Sequence, residues 1–196
     1  MKPLLLVPGK LPVLTDVLDA EICRRVCRKS AAAARSPARV ADGRTTSSDG
    51  RYRRAKCIRL PPYERSLLRR RILTVLPRLA RCFRVRLTTL QRVQVLSYRT
   101  GDFFMRHRDN SKRPDTRPSI RRRRVSLVLF MNHGDASGRR RDYSGGRLNL
   151  YNVKKTGGGV CVSGEPGMLV AFPSTMLHEV TRVRSGERLT VVGWVS

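Results

Sequence analysis

Tyr98-Arg-Thr-Gly-Asp-Phe-Phe-Met-Arg-His107-Arg-Asp109 is the stretch on which the reading of this chain turns. It sets an imidazole and a carboxylate two residues apart on a segment that reads as strand. Side chains alternate across a strand, so residues i and i+2 share a face and can grip one ion together. A third ligand is then required. The only histidines in the chain are His107, His133 and His178. His133 lies in Asn132-His-Gly-Asp-Ala-Ser-Gly, a loop pattern, and is expected at the surface. His178 follows Gly167-Met-Leu-Val-Ala-Phe-Pro-Ser-Thr-Met-Leu and heads another apolar run, so it is the candidate.

Two imidazoles and one carboxylate that leave coordination positions open form the facial triad of non-haem Fe(II) oxygenases. Further along, Arg188 sits on a predicted strand that ends near Trp194. A guanidinium there can take a carboxylate in a two-pronged, charge-assisted grip.

Four features together resemble the Fe(II)/2-oxoglutarate dioxygenases of the prolyl 4-hydroxylase type. They are His107-x-Asp109 with His178 and Arg188, the lead-in Tyr98-x-x-Gly101-x-x-Phe104, the segment Asp142-Tyr-Ser-Gly-Gly-Arg-Leu-Asn-Leu-Tyr151, and Leu177-His-Glu-Val180. The resemblance covers residues 90–196 in order, and more loosely the helix-rich part before them. It implies Fe(II) held by His107, Asp109 and His178, with 2-oxoglutarate and O2 as cosubstrates and ascorbate as an accessory. Arg188 would pair with the distal carboxylate of 2-oxoglutarate, helped by Thr190, which faces the same way. Tyr98 would point toward the oxo-acid; a plain core aromatic is the competing reading. Trp194 and Phe130 would wall the pocket. Phe130 stands where some relatives carry a tyrosine that hydrogen-bonds the cosubstrate, so that contact is expected to be missing. Some relatives also have lysine where this chain has Arg188.

Outside the motif, the pattern divides the chain in two. Residues 1–89 read as a strand-and-helix support, and residues 90–196 as a catalytic core within one structural domain. Leu11-Pro-Val-Leu reads as a short strand, with Thr15 or Asp16 capping a helix over 16–30 whose apolar positions are Val17, Leu18, Ile22, Val26 and Cys27. Residues 35–54, rich in Ala, Ser, Arg, Gly and Thr, read as a mobile loop with poor order expected over 42–50. By resemblance it would close over a peptide substrate. Pro61-Pro62 opens a second helix, striped by Ile72, Val75, Leu76 and Leu79 and running to about residue 83, with Arg69–Arg71 outward. Beyond Leu87 the segments are of strand length: Val93–Tyr98, Phe103–His107, Val125–Met131, Gly146–Tyr151, Gly159–Ser163, Met168–Phe172, Glu179–Val183 and Arg188–Val195. Gly157-Gly-Gly159 reads as a tight hairpin. The expectation is an α+β, mainly β fold: helices on one face of an antiparallel core. The resemblance implies a double-stranded β-helix, or jelly roll.

Net charge is +28, from 42 basic and 14 acidic residues. Such a balance attracts polyanions and makes their binding steep in salt; a general arginine bias without a dedicated partner explains it equally. Five cysteines without a Cys-x-x-Cys pair exclude a complete disulfide framework and point to a reducing compartment, cytoplasmic or nuclear. The opening residues are too short an apolar run for a signal peptide, and no run is long enough to span a membrane.

The resemblance implies hydroxylation of a residue in a protein or peptide, proline above all, with release of succinate and CO2. The charge keeps two alternatives open: a basic nucleic-acid- or ribosome-associated binding protein on an oxygenase fold, or an AlkB-like nucleic-acid demethylase. Against the second, Trp194 stands where those enzymes place a second arginine.

Overall fold

The computed structural model describes residues 3–6, 11–14, 16–41, 46–47, 50–111, 113–114, 116–135, 142–151 and 159–196. Two strands open the chain, β1 (Pro3–Leu6) and β2 (Leu11–Leu14), followed by helix α1 (Ala20–Ala31). Short strands β3 (Arg35–Pro37), β4 (Val40–Ala41), β5 (Thr46–Ser47), β6 (Arg53–Arg54) and β7 (Lys56–Ile58) lead to the long helix α2 (Pro62–Phe83). The remainder comprises β8 (Gln94–Arg99), β9 (Phe103–His107), a single-turn helix α3 (Pro118–Arg121), β10 (Val125–Phe130), β11 (Tyr143–Gly145), β12 (Leu148–Tyr151), β13 (Gly159–Val162), β14 (Leu169–Pro173), β15 (Leu177–Val180) and β16 (Val183–Val195).

The strands form two facing sheets that do not close into a barrel, the jelly-roll arrangement that the resemblance implies. The larger has the order β1-β2-β14-β10-β16-β8-β7-β3, with β11 also paired to β16. The smaller runs β13-β12-β15-β9-β6, and β4 and β5 pair separately. β10 explains how the layers stack, because all six of its residues are buried. A strand buried throughout needs an apolar layer on each face. Val125, Leu127 and Leu129 pack with Leu68, Ile72, Val75 and Leu79 of α2 and with Cys23 and Val26 of α1. Val128 and Phe130 point the other way, into the space between the sheets, against Leu148, Leu150, Val162 and Phe172. The same parity sorts β16. Leu189, Val191 and Val195 face the helices, while Arg188, Thr190, Val192 and Trp194 face the second sheet.

Three local expectations are corrected. Asp19, not Thr15 or Asp16, caps α1: its Oδ1 accepts a hydrogen bond from the Ile22 N–H at 2.8 Å. Asp16 has φ of 58° and turns the chain, so Val17 reaches the Gly167 carbonyl at 3.0 Å before the helix starts. Thr15 lies outside the described residues. The stretch 35–54 is not a free loop at its ends. β3 pairs with β7 and β6 with β9, setting Arg53 opposite Phe104. These pairings are long-range, and so invisible to local composition. The expected poor order over 42–50 falls mostly on residues outside the described set, as do residues 157 and 158 of the predicted hairpin. Third, the last strand begins at Val183, not Arg188, because β11 and β8 extend its pairing backwards.

Candidate active site

β9 and β15 are neighbours in the smaller sheet, and their register places His107 directly opposite His178. Asp109 does not continue β9, as the strand reading required. It lies on a bend just past the strand end, where its N–H donates to the Ser174 carbonyl at 3.0 Å. A hydroxyl, not strand alternation, fixes the carboxylate: Ser126 Oγ donates to Asp109 Oδ2 at 2.7 Å and itself lies 2.9 Å from Ser174 Oγ. His107 Nε2 is 3.7 Å from Asp109 Oδ1, and His178 Nε2 is 3.4 Å from Oδ2. One ligand atom from each of the three residues lies within 4.8 Å of the others, close enough to share an ion.

Both imidazoles are oriented in the same way. His107 Nδ1 bonds the Met105 carbonyl at 2.8 Å and His178 Nδ1 the Met176 carbonyl at 2.9 Å. With Nδ1 held by a carbonyl, the proton sits there and the Nε2 lone pair faces the centre, the usual arrangement of a metal-ligating histidine. Phe104 stacks on His107 with ring centroids 3.5 Å apart, and the Arg53 guanidinium lies 4.4 Å above Phe104. Burial lowers the His107 pKa to about 3, with the neighbouring His178 adding to the effect, so this imidazole is neutral at pH 7. For Asp109, burial alone would raise the pKa; His178, His107 and the Ser126 hydroxyl outweigh it and hold the carboxyl well below its ordinary range. Burial pulls His178 down, yet the Asp109 carboxylate leaves it raised above the ordinary value. One ionised carboxylate between two ring nitrogens is a donor set suited to a divalent first-row ion.

Arg188 lines the same cavity, which encloses about 950 Å³ and is bordered by Tyr98, Phe104, His107, Asp109, His178 and Trp194 among others. Its side chain is 1% exposed. Nη1 donates to Thr190 Oγ1 at 3.2 Å, and Cζ lies 5.2 Å from the Tyr98 ring and 5.0 Å from Phe130. Nε and Nη2 are buried without any hydrogen-bond partner. An unneutralised guanidinium in an apolar setting is expensive unless an anion joins it, so the site fits a carboxylate. Gly146 makes room for its stem: at φ of 57°, a Cβ there would stand 3.0 Å from Arg188 Cδ.

Of the residues singled out in the sequence, His107, Asp109, His178, Arg188, Tyr98 and Trp194 border one cavity. Thr190 is fully buried and orients Arg188. Phe130 is packed behind Arg188 and does not border the cavity. His133 is half-buried and pairs with Glu165 at 3.0 Å, away from the cavity.

Sequence reasoning missed Ser126, Arg53 and Tyr143. Tyr143 is 2% exposed, and its hydroxyl has no hydrogen-bond partner. Burial raises its pKa while the nearby positive charge of Arg188 opposes the rise, so the phenol lies close to the guanidinium. The available signal was its place in Tyr143-Ser-Gly-Gly146, just before the pair of glycines whose second member makes room for Arg188.

A two-layer β fold that gathers two histidines, an aspartate on the bend after a strand, and a buried arginine around one cavity defines the class of metal- and oxo-acid-binding jelly rolls. A family model described as the 2OG-Fe(II) oxygenase superfamily matches residues 93–196, and the chain belongs to that family. Curated relatives include a PKHD-type hydroxylase of Prochlorococcus marinus (strain NATL2A). It is 34% identical over 95 residues, which are 48% of this chain and 37% of the relative. Another, from Shewanella oneidensis, is 37% identical over 98 residues, 50% of this chain and 39% of the relative. The matches thus span well under half the length of these relatives. Among solved structures, a Pseudomonas putida prolyl-4-hydroxylase superposes with a TM-score of 0.63 at 24% identity, covering 94% of this chain and 91% of that one. A Trichoplax adhaerens prolyl hydroxylase, solved with a hypoxia-inducible-factor oxygen degradation domain peptide, gives 0.71 at 21% identity, covering 96% and 84%. Among the described residues, no helix is long and apolar enough to cross a membrane.

Proposed function

We propose that this protein is an Fe(II)- and 2-oxoglutarate-dependent dioxygenase that hydroxylates a residue of a protein or peptide, proline being the favoured target, with release of succinate and CO2. The observation that carries the proposal is the convergence of the His107–Asp109–His178 cluster and the unpaired buried guanidinium of Arg188 on one cavity. His107, Asp109 and His178 would hold the ion; bound Fe(II) supplies the one-electron chemistry with O2 that no side chain offers. Arg188, braced by Thr190, would fix the oxo-acid by its distal carboxylate, a charge-assisted contact inside a dry site. Tyr143 would donate a second hydrogen bond to that carboxylate, standing in for the hydroxyl that Phe130 lacks. Tyr98 and Trp194 shape the cavity and keep water from the reacting centre. The relatives' names support a hydroxylase, and the titles of the prolyl hydroxylase neighbours, one of them peptide-bound, support a polypeptide substrate and favour proline. Ascorbate rests on the resemblance alone.

The test is succinate formation by purified protein supplied with Fe(II) and 2-oxoglutarate. The His178→Ala variant is expected to lose iron and turnover together. Unchanged turnover in that variant would refute the ligand assignment.

A further inference from the structure

The cavity mouth is lined by Arg39, Arg53, Arg92, Arg108, Arg117 and Arg123, and among the described residues its one lining carboxylate is Asp109, already placed among the candidate ligands. This is not merely the chain's average charge seen locally. Carboxylates are scarce, and several of the described ones are paired with arginines elsewhere: Glu21 with Arg24 and Arg28, Glu64 with Arg25, Glu187 with Arg35 and Arg99, Glu179 with Arg106, and Asp135 with Arg147. None of these acids lines the cavity. Arg39, Arg92 and Arg117 are exposed and form no ion pair with a described carboxylate. Arg53 is 8% exposed, held by one bond from Nη1 to the Arg39 carbonyl at 3.0 Å, and its Nε is buried without a partner. It caps the Phe104–His107 stack, so an unmatched donor lies one aromatic ring away from a candidate ligand.

The mouth therefore asks for anionic groups, and its aromatics decide which kind. A nucleic-acid strand is gripped by free aromatic faces on which bases stack. Here Phe104 is sandwiched between Arg53 and His107, and Trp194 is covered by the Arg123 guanidinium at 3.9 Å. Tyr52, whose hydroxyl donates to the Arg106 carbonyl, is the one aromatic at the mouth not covered by a guanidinium. Side-chain carboxylates need no stacking platform and match a guanidinium fork directly.

Building on the dioxygenase reading, we propose that the polypeptide this mouth accepts is acidic. Aspartate or glutamate residues flank the target residue and pair with Arg39, Arg92 and Arg117 at the rim, with Arg53 reading a carbonyl or carboxylate nearer the centre.

The test is fluorescence anisotropy at low salt with short labelled proline-centred peptides whose flanks are Glu, Gln or Lys, and with a single-stranded oligonucleotide of matching charge. The Glu peptide is expected to bind at least about tenfold tighter than its Gln isostere, with the advantage shrinking as salt rises. Combining Arg39→Gln, Arg92→Gln and Arg117→Gln should erase most of that difference. Combining Arg65→Gln, Arg70→Gln and Arg71→Gln, on the exposed face of α2, should leave it intact. Equal affinity for Glu and Gln peptides, tighter binding of the oligonucleotide, or equal losses in both triple variants would overturn the proposal. Succinate release without peptide, measured on the same preparations, keeps the two readings apart. Release with no Glu preference removes this inference alone, whereas a Glu preference with no release removes the dioxygenase reading and leaves an acidic-peptide docking site.

Discussion

Replacing Arg188 by Met should stabilise the protein in the absence of cosubstrate while destroying its response to 2-oxoglutarate. The guanidinium is 1% exposed and makes one side-chain hydrogen bond, to Thr190, with Nε and Nη2 unpaired. Each buried unpaired donor costs about 1–3 kcal/mol, and the bond to Thr190 returns about 1 kcal/mol. A methionine of similar length packs against Tyr98 and Phe130 without these penalties. Buried ionic groups replaced by apolar ones gain about 1–4 kcal/mol, and about 2 kcal/mol is a reasonable centre here. For a domain of this size that corresponds to a rise in Tm of roughly 4–8 °C. Wild-type protein should gain a further ~2.7 kcal/mol when 2-oxoglutarate is present at about a hundred times its Kd, and the Met variant should gain nothing. The assay is thermal unfolding with Mn(II), with and without 2-oxoglutarate, alongside a 2-oxo acid that lacks the distal carboxylate. A variant that unfolds earlier than wild type and is still stabilised by 2-oxoglutarate would refute the argument, because the arginine would then be structural.

Tyr143→Phe should weaken 2-oxoglutarate by about tenfold or more, the worth of a hydrogen bond to a charged group, without lowering Tm; calorimetry with the monocarboxylate oxo acid should show no change. Ser126→Ala removes the donor that holds Asp109, and affinity for Mn(II) should drop about 10–100-fold, as read by calorimetric titration; an unaltered affinity would mean that Ser174 alone positions the carboxylate. Ion binding should also strengthen as pH rises. The His178 pKa is raised above its ordinary value by Asp109, so a proton must leave Nε2 before it can ligate, and affinity falls by up to about tenfold per pH unit below that pKa. His107, at about 3, is already neutral and adds no dependence near neutrality. A flat Mn(II) affinity between about pH 5.5 and 8 would contradict the His178–Asp109 coupling.

Much of the architecture was legible because it follows short-range periodicity. The stripe Ile72, Val75, Leu76 and Leu79 located α2, and Phe103–His107 emerged with the predicted bounds. Both depend on which face of a helix or strand is apolar, and neighbouring residues settle that. The candidate triad was legible for a different reason: with three histidines in the chain the search for a third ligand was short, and the apolar run around His178 and the family resemblance pointed to it. The route to Asp109 was nevertheless wrong in detail. Strand alternation was to place it beside His107, whereas a bend held by Ser174 and Ser126 does so.

What sequence alone determined is therefore the candidate donor set and the run of strand-length segments that bear it, since these are properties of residue type and local pattern. Tertiary structure decided everything that depends on being left without a partner. The unpaired nitrogens of Arg188, the lone hydroxyl of Tyr143 and the arginines at the mouth acquire meaning only once the described carboxylates are seen to lie elsewhere. Burial removes water as a partner, and long-range strand pairing fixes which groups remain to replace it. No window of sequence contains that information.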